Sequence, residues 1–281
     1  MSSSYTADST VGNVDDVVAV EVTIDGMLVI ADRLGLMDFP IALAIRPNIP
    51  QVELRNLVWD QVRRDLTDQG VLDIYGTPHP TVAAMVDTLS RADRTLEARW
   101  WRRDLNGGTM VRFVVCRKGQ RHVVAARDGD MLVVQLVAPQ IGLAGMVITV
   151  LGPAEAADVE PLTGVASKLA ECKTAPQIAQ YGVAPASARI YADIVGNPTS
   201  WVEITATERH PGGTTTTTDL AAGIADSRQG RVVSIPRRVN GELYGSFLPG
   251  TQDNLQRALD GLVQFLPSGT WFEQTEIDYS Q

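Results

Sequence analysis

The sequence predicts an α+β protein built twice from one plan: a quasi-twofold duplicated antiparallel β-meander forming a central sheet, with two helical subdomains. Three observations carry that prediction. Strands arrive in runs of consecutive hairpins rather than alternating with helices, which disfavours a doubly wound parallel sheet. Each run is entered from a helix and left into a helix. The turn residues recur in order: Gly107 with Gly212, Gly119 with Gly230, Gly129 with Gly241, Pro139 with Pro249. Each member follows its counterpart by about 110 residues, as an internal repeat requires.

The elements follow along the chain. The first fifteen residues, small and polar, are expected to be disordered. The valine-rich run from Val17 to Ile24 reads as a strand. Met27, Ile30, Ala31 and Leu34 then fall at helical spacing, with Gly35 as the stop. Ile41 to Ile45 reads as a short strand closed by Arg46-Pro47-Asn48-Ile49-Pro50. Leu54, Leu57, Val58 and Val62 give a second helix its apolar stripe, opposite Arg55, Asp60, Arg63 and Arg64, with Gly70 at C′.

A helix carrying Val82, Met85, Val86 and Leu89 leads into the first meander: Thr95–Arg103, Met110–Cys116, His122–Ala126 and Met131–Val137, followed by a helix after Pro139. The second copy opens with Ala188, Tyr191, Ile194 and Val195 on a helix. Its strands are Trp201–Glu208, Leu220–Ala225, Arg231–Val239 and Glu242–Leu248. Leu255, Ala258, Leu259, Leu262 and Leu266 close it on a last amphipathic helix. The halves divide near Pro153 to Pro161, giving an N-terminal part over 16–155 and a C-terminal part over 156–281 of a single domain.

Composition narrows the function. The 281 residues carry 24 Lys+Arg against 33 Asp+Glu, a net charge of −9. Nucleic-acid affinity rests on Lys and Arg neutralising phosphates, so no nucleic-acid partner is expected. The one basic-aromatic run, Arg99-Trp100-Trp101-Arg102-Arg103, reads instead as a strand with solvated arginines and half-buried tryptophans. The apolar stretch Ile141–Leu151 is far short of the ~20 residues that span a bilayer, and no membrane partner is expected. No basic and apolar leader opens the chain, so a cytoplasmic location is expected. Cys116 and Cys172 read as buried small hydrophobes.

Chemistry-bearing motifs are absent. There is no phosphate-cradling loop, no nucleophile elbow and no metal-ligand spacing among His79, His122 and His210, so no catalytic residue, metal or cofactor is expected. His122 with Cys116, as base and nucleophile across a hairpin, is the one pairing available, without a third group to orient it. Asp128 and Asp130 flank Gly129 in a turn.

The segment without a structural explanation is His210-Pro211-Gly212-Gly213, five threonines (Thr214 to Thr218) and Asp219. At about ten residues it exceeds what a hairpin turn needs. A loose hairpin loop and a hydroxyl-rich binding loop at the edge of a rigid sheet explain it equally well.

Longer stretches carry a resemblance: Val20-Glu21-Val22-Thr23-Ile24-Asp25-Gly26-Met27, Ala31-Asp32-Arg33-Leu34, Ile45-Arg46-Pro47-Asn48-Ile49-Pro50, Trp100-Trp101-Arg102-Arg103-Asp104, and Val111-Arg112-Phe113-Val114-Val115-Cys116-Arg117. Further ones are Ala126-Arg127-Asp128-Gly129-Asp130-Met131-Leu132, His210-Pro211-Gly212-Gly213-Thr214-Thr215-Thr216 and Gly245-Ser246-Phe247-Leu248-Pro249-Gly250-Thr251. Over nearly the whole chain after residue 15 the sequence resembles the EspG family of mycobacterial type VII (ESX) secretion chaperones, nearest to the paralogue of the first ESX system.

The resemblance implies a quasi-twofold α+β fold and a non-catalytic cytosolic chaperone. It implies a PE–PPE heterodimer as partner, with the apolar tip of the PPE subunit bound and shielded before export. The family's grip involves the sheet and the C-terminal helical part. The contact residues expected here are therefore Glu208, His210, Thr214, Thr215, Thr216, Thr217, Thr218, Leu220, Arg237 and the exposed face of the last helix. The free protein is expected as a monomer or weak homodimer. Two alternatives stand beside this reading: a small-molecule enzyme of unknown reaction, and a structural homodimeric module.

Overall fold

A computed structural model describes residues 18–49, 51–103 and 108–272. The expected disordered N-terminus, the start of the first strand at Val17, and the turn at Asn106-Gly107 lie outside the described residues. Among the described residues eleven strands form one sheet, each strand-to-strand pairing antiparallel, with main order β1-β5-β4-β3-β2-β7-β9-β10-β11-β6 and β8 paired to β7. In chain order the first copy is β1 (Ala19–Thr23), α1 (Ile24–Leu34), α2 (Val52–Asp68), α3 (Pro80–Ser90), β2 (Arg94–Arg102), β3 (Thr109–Lys118), β4 (Arg121–Asp128), β5 (Met131–Val137) and α4 (Gly142–Leu151). The second is β6 (Leu162–Val165), α5 (Ala166–Glu171), α6 (Ala175–Ala179), α7 (Pro185–Gly196), β7 (Ser200–Arg209), β8 (Thr215–Thr217), β9 (Ala222–Ser227), β10 (Gly230–Val239), β11 (Glu242–Pro249) and α8 (Gln252–Val263).

The repeated order reaches further than the turn residues indicated. Strand, three helices, four-strand meander and helix occur twice, and β8 is an insertion in the second copy. Each edge strand, β1 or β6, pairs with the last strand of its own meander. The first strands of the two meanders pair with each other in the middle, Arg94 opposite Glu208 through Arg102 opposite Ser200. Residues directly opposite in a sheet share a face, and this sorts the core into layers. On the inner face, Leu96, Ala98, Phe113, Val115, Val202, Ile204 and Val233 pack under α4 and α8, which lie against each other. On the outer face, α1 and α3 cover Val114, Cys116, Val123 and Ala125, while α7 and its neighbours cover Val232 and Ala225. The outer helices sit at the two flanks.

Three local expectations need correction. Ile41 to Ile45 is not a strand: Ile41–Leu43 is a 3-10 turn, held where the Ala42 N–H donates to Glu97 Oε2 at 2.8 Å and Arg127 donates to the Leu43 and Ala44 carbonyls. The stripe on α2 is not a core face along its length. Only Leu66 is buried, whereas Leu54 and Leu57 are 55% and 68% exposed. The helix is fastened to α1 from Trp59 onward, whose indole donates to Asp25 at 3.1 Å, and its first turns pass beyond that contact. The threonine-rich segment is not a ten-residue loop. It turns back within His210–Thr214, the His210 N–H donating to the Thr214 carbonyl at 2.8 Å, and Thr215–Thr217 form β8 on β7.

Two turns depend on backbone handedness. Asn240 and Gly241 have φ of 50° and 82°, the two left-handed positions of a tight hairpin turn. Gly230 has φ of 110°, and a Cβ there would stand 2.6 Å from the Ala157 backbone nitrogen, in the segment joining the copies. Gly230→Ala is expected to lower stability by about 2 kcal/mol or more, from backbone strain and the displaced segment together; thermal or urea unfolding checks it, against Gly241→Asn, expected to change stability by under about 1 kcal/mol.

Candidate partner-binding face

Because the outer helices sit at the flanks, no helix of the described residues covers the middle of the outer face. β2 and β7 supply it, and their alternation sends Leu96, Ala98, Val202 and Ile204 inward and Glu97, Arg99, Trp101, Trp201, Glu203 and Thr205 outward. Trp101 and Trp201 stand directly opposite across the joint, 51% and 49% exposed. Two large apolar rings left half in water on adjacent strands are the kind of surface that marks an interaction site. Trp100, one residue before Trp101, points inward and packs on the α4–α8 core with Arg102 stacked on its ring at 5.0 Å. The basic-aromatic run is thus split between two faces by strand alternation.

The next row across the sheet is polar: Arg127, Arg112, Arg99, Glu203, Gly223 and Ser234 stand side by side on six strands. Arg127 is committed to main-chain carbonyls. The side chains of Arg99, Arg112 and Glu203 make no hydrogen bond or ion pair among the described residues. Further along the strip, Glu97 accepts from the Ala42 N–H and the Thr207 hydroxyl, tying the first copy to the second. Thr207 meets Thr217 of β8 at 3.0 Å. A continuous polar strip therefore runs from the β8 hairpin to the tryptophan pair. Beyond the tryptophans, Arg103, Asn197, Thr199 and Arg228 line an open hollow of about 510 Å³.

The nine residues singled out in the sequence do not form one surface. Glu208 is buried, with Ser268 donating its N–H at 3.0 Å and Arg94 3.4 Å away. Thr218 is buried as well, its hydroxyl accepting from the Ala206 N–H and donating to the Leu220 carbonyl, and Leu220 is buried beside it. These three hold the β7–β8 hairpin in place and present little to a partner. Thr214, Thr215 and Thr217 are exposed, while Thr216 is half-buried against His210 Nε2 at 2.8 Å. Arg237 is exposed but lies on the inner side, in a cleft with Arg257, Gln264 and Phe265 of the α8 region. Sequence alone does not reveal the tryptophan pair, because a strand's register with a distant strand is invisible in it; the WW dipeptide is its one signal.

The catalytic pairing considered in the sequence is undone by the same alternation. Cys116 packs on the outer side under α3 and is directly opposite Val123, whereas His122, one position along, faces the other way. Burial pushes the Cys116 thiol up to about 12, so it holds its proton. Among the described residues no group of His, Cys, Asp and Glu could hold a metal ion, and no helix is long and apolar enough to cross a membrane.

Comparison with known proteins agrees with this architecture. The EspG family model matches residues 23–261. The chain is 73% identical to the ESX-1 secretion-associated protein EspG1 of Mycobacterium tuberculosis, over 96% of this chain and 95% of that one. It is 30% identical to the ESX-3 secretion-associated protein EspG3 of Mycolicibacterium smegmatis, over 90% and 89%. Among solved structures it resembles the M. tuberculosis type VII secretion chaperone EspG5, determined in complex with a PE25–PPE41 dimer. That match has a TM-score of 0.70 at 18% identity and covers 90% of this chain and 98% of that one. The chain belongs to the EspG family.

Proposed function

We propose that this protein is a cytoplasmic, non-enzymatic chaperone of type VII secretion that binds PE–PPE heterodimers through the PPE subunit and shields its apolar tip before export. Membership of the EspG family carries the reading, together with the chaperone title of a relative solved with a PE–PPE dimer. The architecture suits it. A holdase needs a rigid, partly apolar surface and no nucleotide site; the bare strip on β2 and β7 is such a surface, backed by a continuous sheet. An apolar tip laid on Trp101 and Trp201 would cover two aromatic anchors of the type that dominates interface energetics. Arg99, Arg112 and Glu203, whose side chains have no ion pair among the described residues, would border it with charge. The exposed threonines of the β8 hairpin close the other end of the strip. Arg237 and the flank of α8 lie across the sheet, so a client reaching them as well would have to wrap the hairpin end of β10 and β11.

Size exclusion with mass detection on the chain co-expressed with a PE–PPE pair tests the reading: a 1:1:1 complex is expected, and separate elution from every ESX pair tried would contradict it. Within such a complex, Trp101→Ala with Trp201→Ala is expected to weaken affinity by at least about 30-fold, roughly 2 kcal/mol. Since both rings are half in water, the melting temperature of the free chain should move little. Replacing Thr215 and Thr217 by alanine is expected to cost about three- to tenfold in affinity, read by calorimetry. Unchanged binding there would remove the hairpin from the contact surface.

A further inference from the structure

The chain does not end at α8. Residues 266–272 (Leu-Pro-Ser-Gly-Thr-Trp-Phe) run back across the ends of β7, β2, β3 and β4, and each of these strands holds them. Ser268 donates to Glu208 on β7 at 3.0 Å, and Arg94 Nε on β2 donates to the Thr270 carbonyl at 3.2 Å. Arg117 on β3 donates to the Trp271 carbonyl. On β4, His122 is 1% exposed and meets Trp271 with one ring nitrogen, while the ring of Phe272 lies 5.5 Å away, centroid to centroid.

The two nitrogens of His122 have assigned roles. An indole N–H can only donate, so Nε2 accepts from Trp271 Nε1 at 3.1 Å. A backbone carbonyl can only accept, so Nδ1 carries the hydrogen and donates to Gln120 O at 3.0 Å. The ring is therefore held neutral in a single tautomer. A second proton must go on Nε2, where it would face the indole hydrogen and abolish the bond. We propose that residues 266–272 are a strap latched by neutral His122, and that protonation of His122 unlatches it as a unit.

Arg117, Lys118 and Arg94, the cations nearest the latch, are each bridged to a carboxylate. Arg117 on β3 faces the ring and is bridged to Asp93, just before β2, at 2.9 Å. Lys118 is bridged to Asp87 of α3, and Arg94 to Glu208. Arg121 on the same strand is exposed, Val137 is the neighbour on β5, and the strap carries no charge. Burial, aided by Arg117 and opposed by the Gln120 carbonyl and Asp93, holds the imidazole below its ordinary range near 6.5. A depressed histidine value means that the strap's full hold is present above about pH 6.5 and is lost as pH falls through the folded-state value. Glu208 does not pre-empt this. Burial opposes its ionisation, but the Ser268 bonds and the charges of Arg94 and His210 outweigh that and keep it below the usual carboxylate value.

The experiment follows the Trp271 indole N–H by ¹H–¹⁵N NMR, assigned with Trp271→Phe, from about pH 7.5 to about pH 5, alongside hydrogen exchange of the strap corrected for intrinsic rate. The expected result is a single-proton transition in the indole signal, with strap protection falling at least about tenfold through the same midpoint while β2 and β7 stay protected. His122→Gln, which keeps a carbonyl to accept from the indole but does not titrate, is expected to hold the strap across the whole range. An indole signal and strap protection that stay constant to about pH 5 in the unaltered chain would overturn the proposal, whether the ring never takes the proton or takes it without effect. The same transition in His122→Gln would overturn it too. The unaltered chain decides the matter by itself if the variant does not fold.

Discussion

The pairing of β2 with β7, from Arg94 opposite Glu208 to Arg102 opposite Ser200, is the joint on which the rest of the molecule depends. Each half of the chain brings a meander with one face that needs cover, and a four-strand sheet alone would expose two open edges. Joining the first strands of the two meanders removes one edge from each and makes one sheet. Its inner side is wide enough for α4 and α8 to lie across the joint, sealing Phe113, Ile204 and their neighbours beneath them. The same joint fixes the outer side. Symmetry sends the three-helix groups to opposite flanks, and the strands at the centre are left without a helix.

A bare sheet centre is costly for a monomer to carry unless it is used, and the residues found there fit use. Leu96, Ala98, Val202 and Ile204, inward on β2 and β7, are small or aliphatic and buried, while Glu97, Arg99, Trp101, Trp201, Glu203 and Thr205 face outward, the side chains of Arg99 and Glu203 without an ion pair among the described residues. That surface differs in kind from the exposed stripe on α2, where Leu54 and Leu57 stand on a helix that overruns its support. It differs too from the cleft at Arg237, where β10 and α8 meet on the other side. The strap formed by residues 266–272 adds a clamp at one end of the joint, because Glu208 and Arg94 belong both to the β2–β7 pairing and to the strap's anchorage.

Much of this was legible in the sequence, and what was not has a physical reason. Glycine and proline at the turns gave away the meanders and their duplication, since a tight hairpin needs positive φ at a known place, as Asn240-Gly241 has. Amphipathic spacing found α1, α3, α7 and α8. It misled at α2, because a stripe records that a helix has an apolar side and not how far its partner extends. The threonine run read as a loop because its pairing partner is the same strand it leaves, β7, and β-branched residues suit a strand as well as a binding loop. Glu208, Thr218 and Leu220 enter the expected contact set because they flank the long threonine segment; in place they are buried, and hydrogen bonds to Ser268, Ala206 and Leu220 absorb the polar groups of Glu208 and Thr218. The pairing of Trp101 with Trp201 required the register of strands far apart in sequence, which one chain read alone does not contain.

The claim that the open centre of the sheet is the client's seat is tested most directly by hydroxyl-radical footprinting of the chain, free and bound to a PE–PPE heterodimer. Side-chain oxidation reports solvent access residue by residue, and both tryptophans are reactive while half exposed. The account predicts that oxidation of Trp101 and Trp201 falls together on binding, while Leu54 and Leu57 on α2 react as before. Unchanged oxidation of the two tryptophans in a verified complex, with protection appearing on α2 or around Arg237 alone, would contradict it.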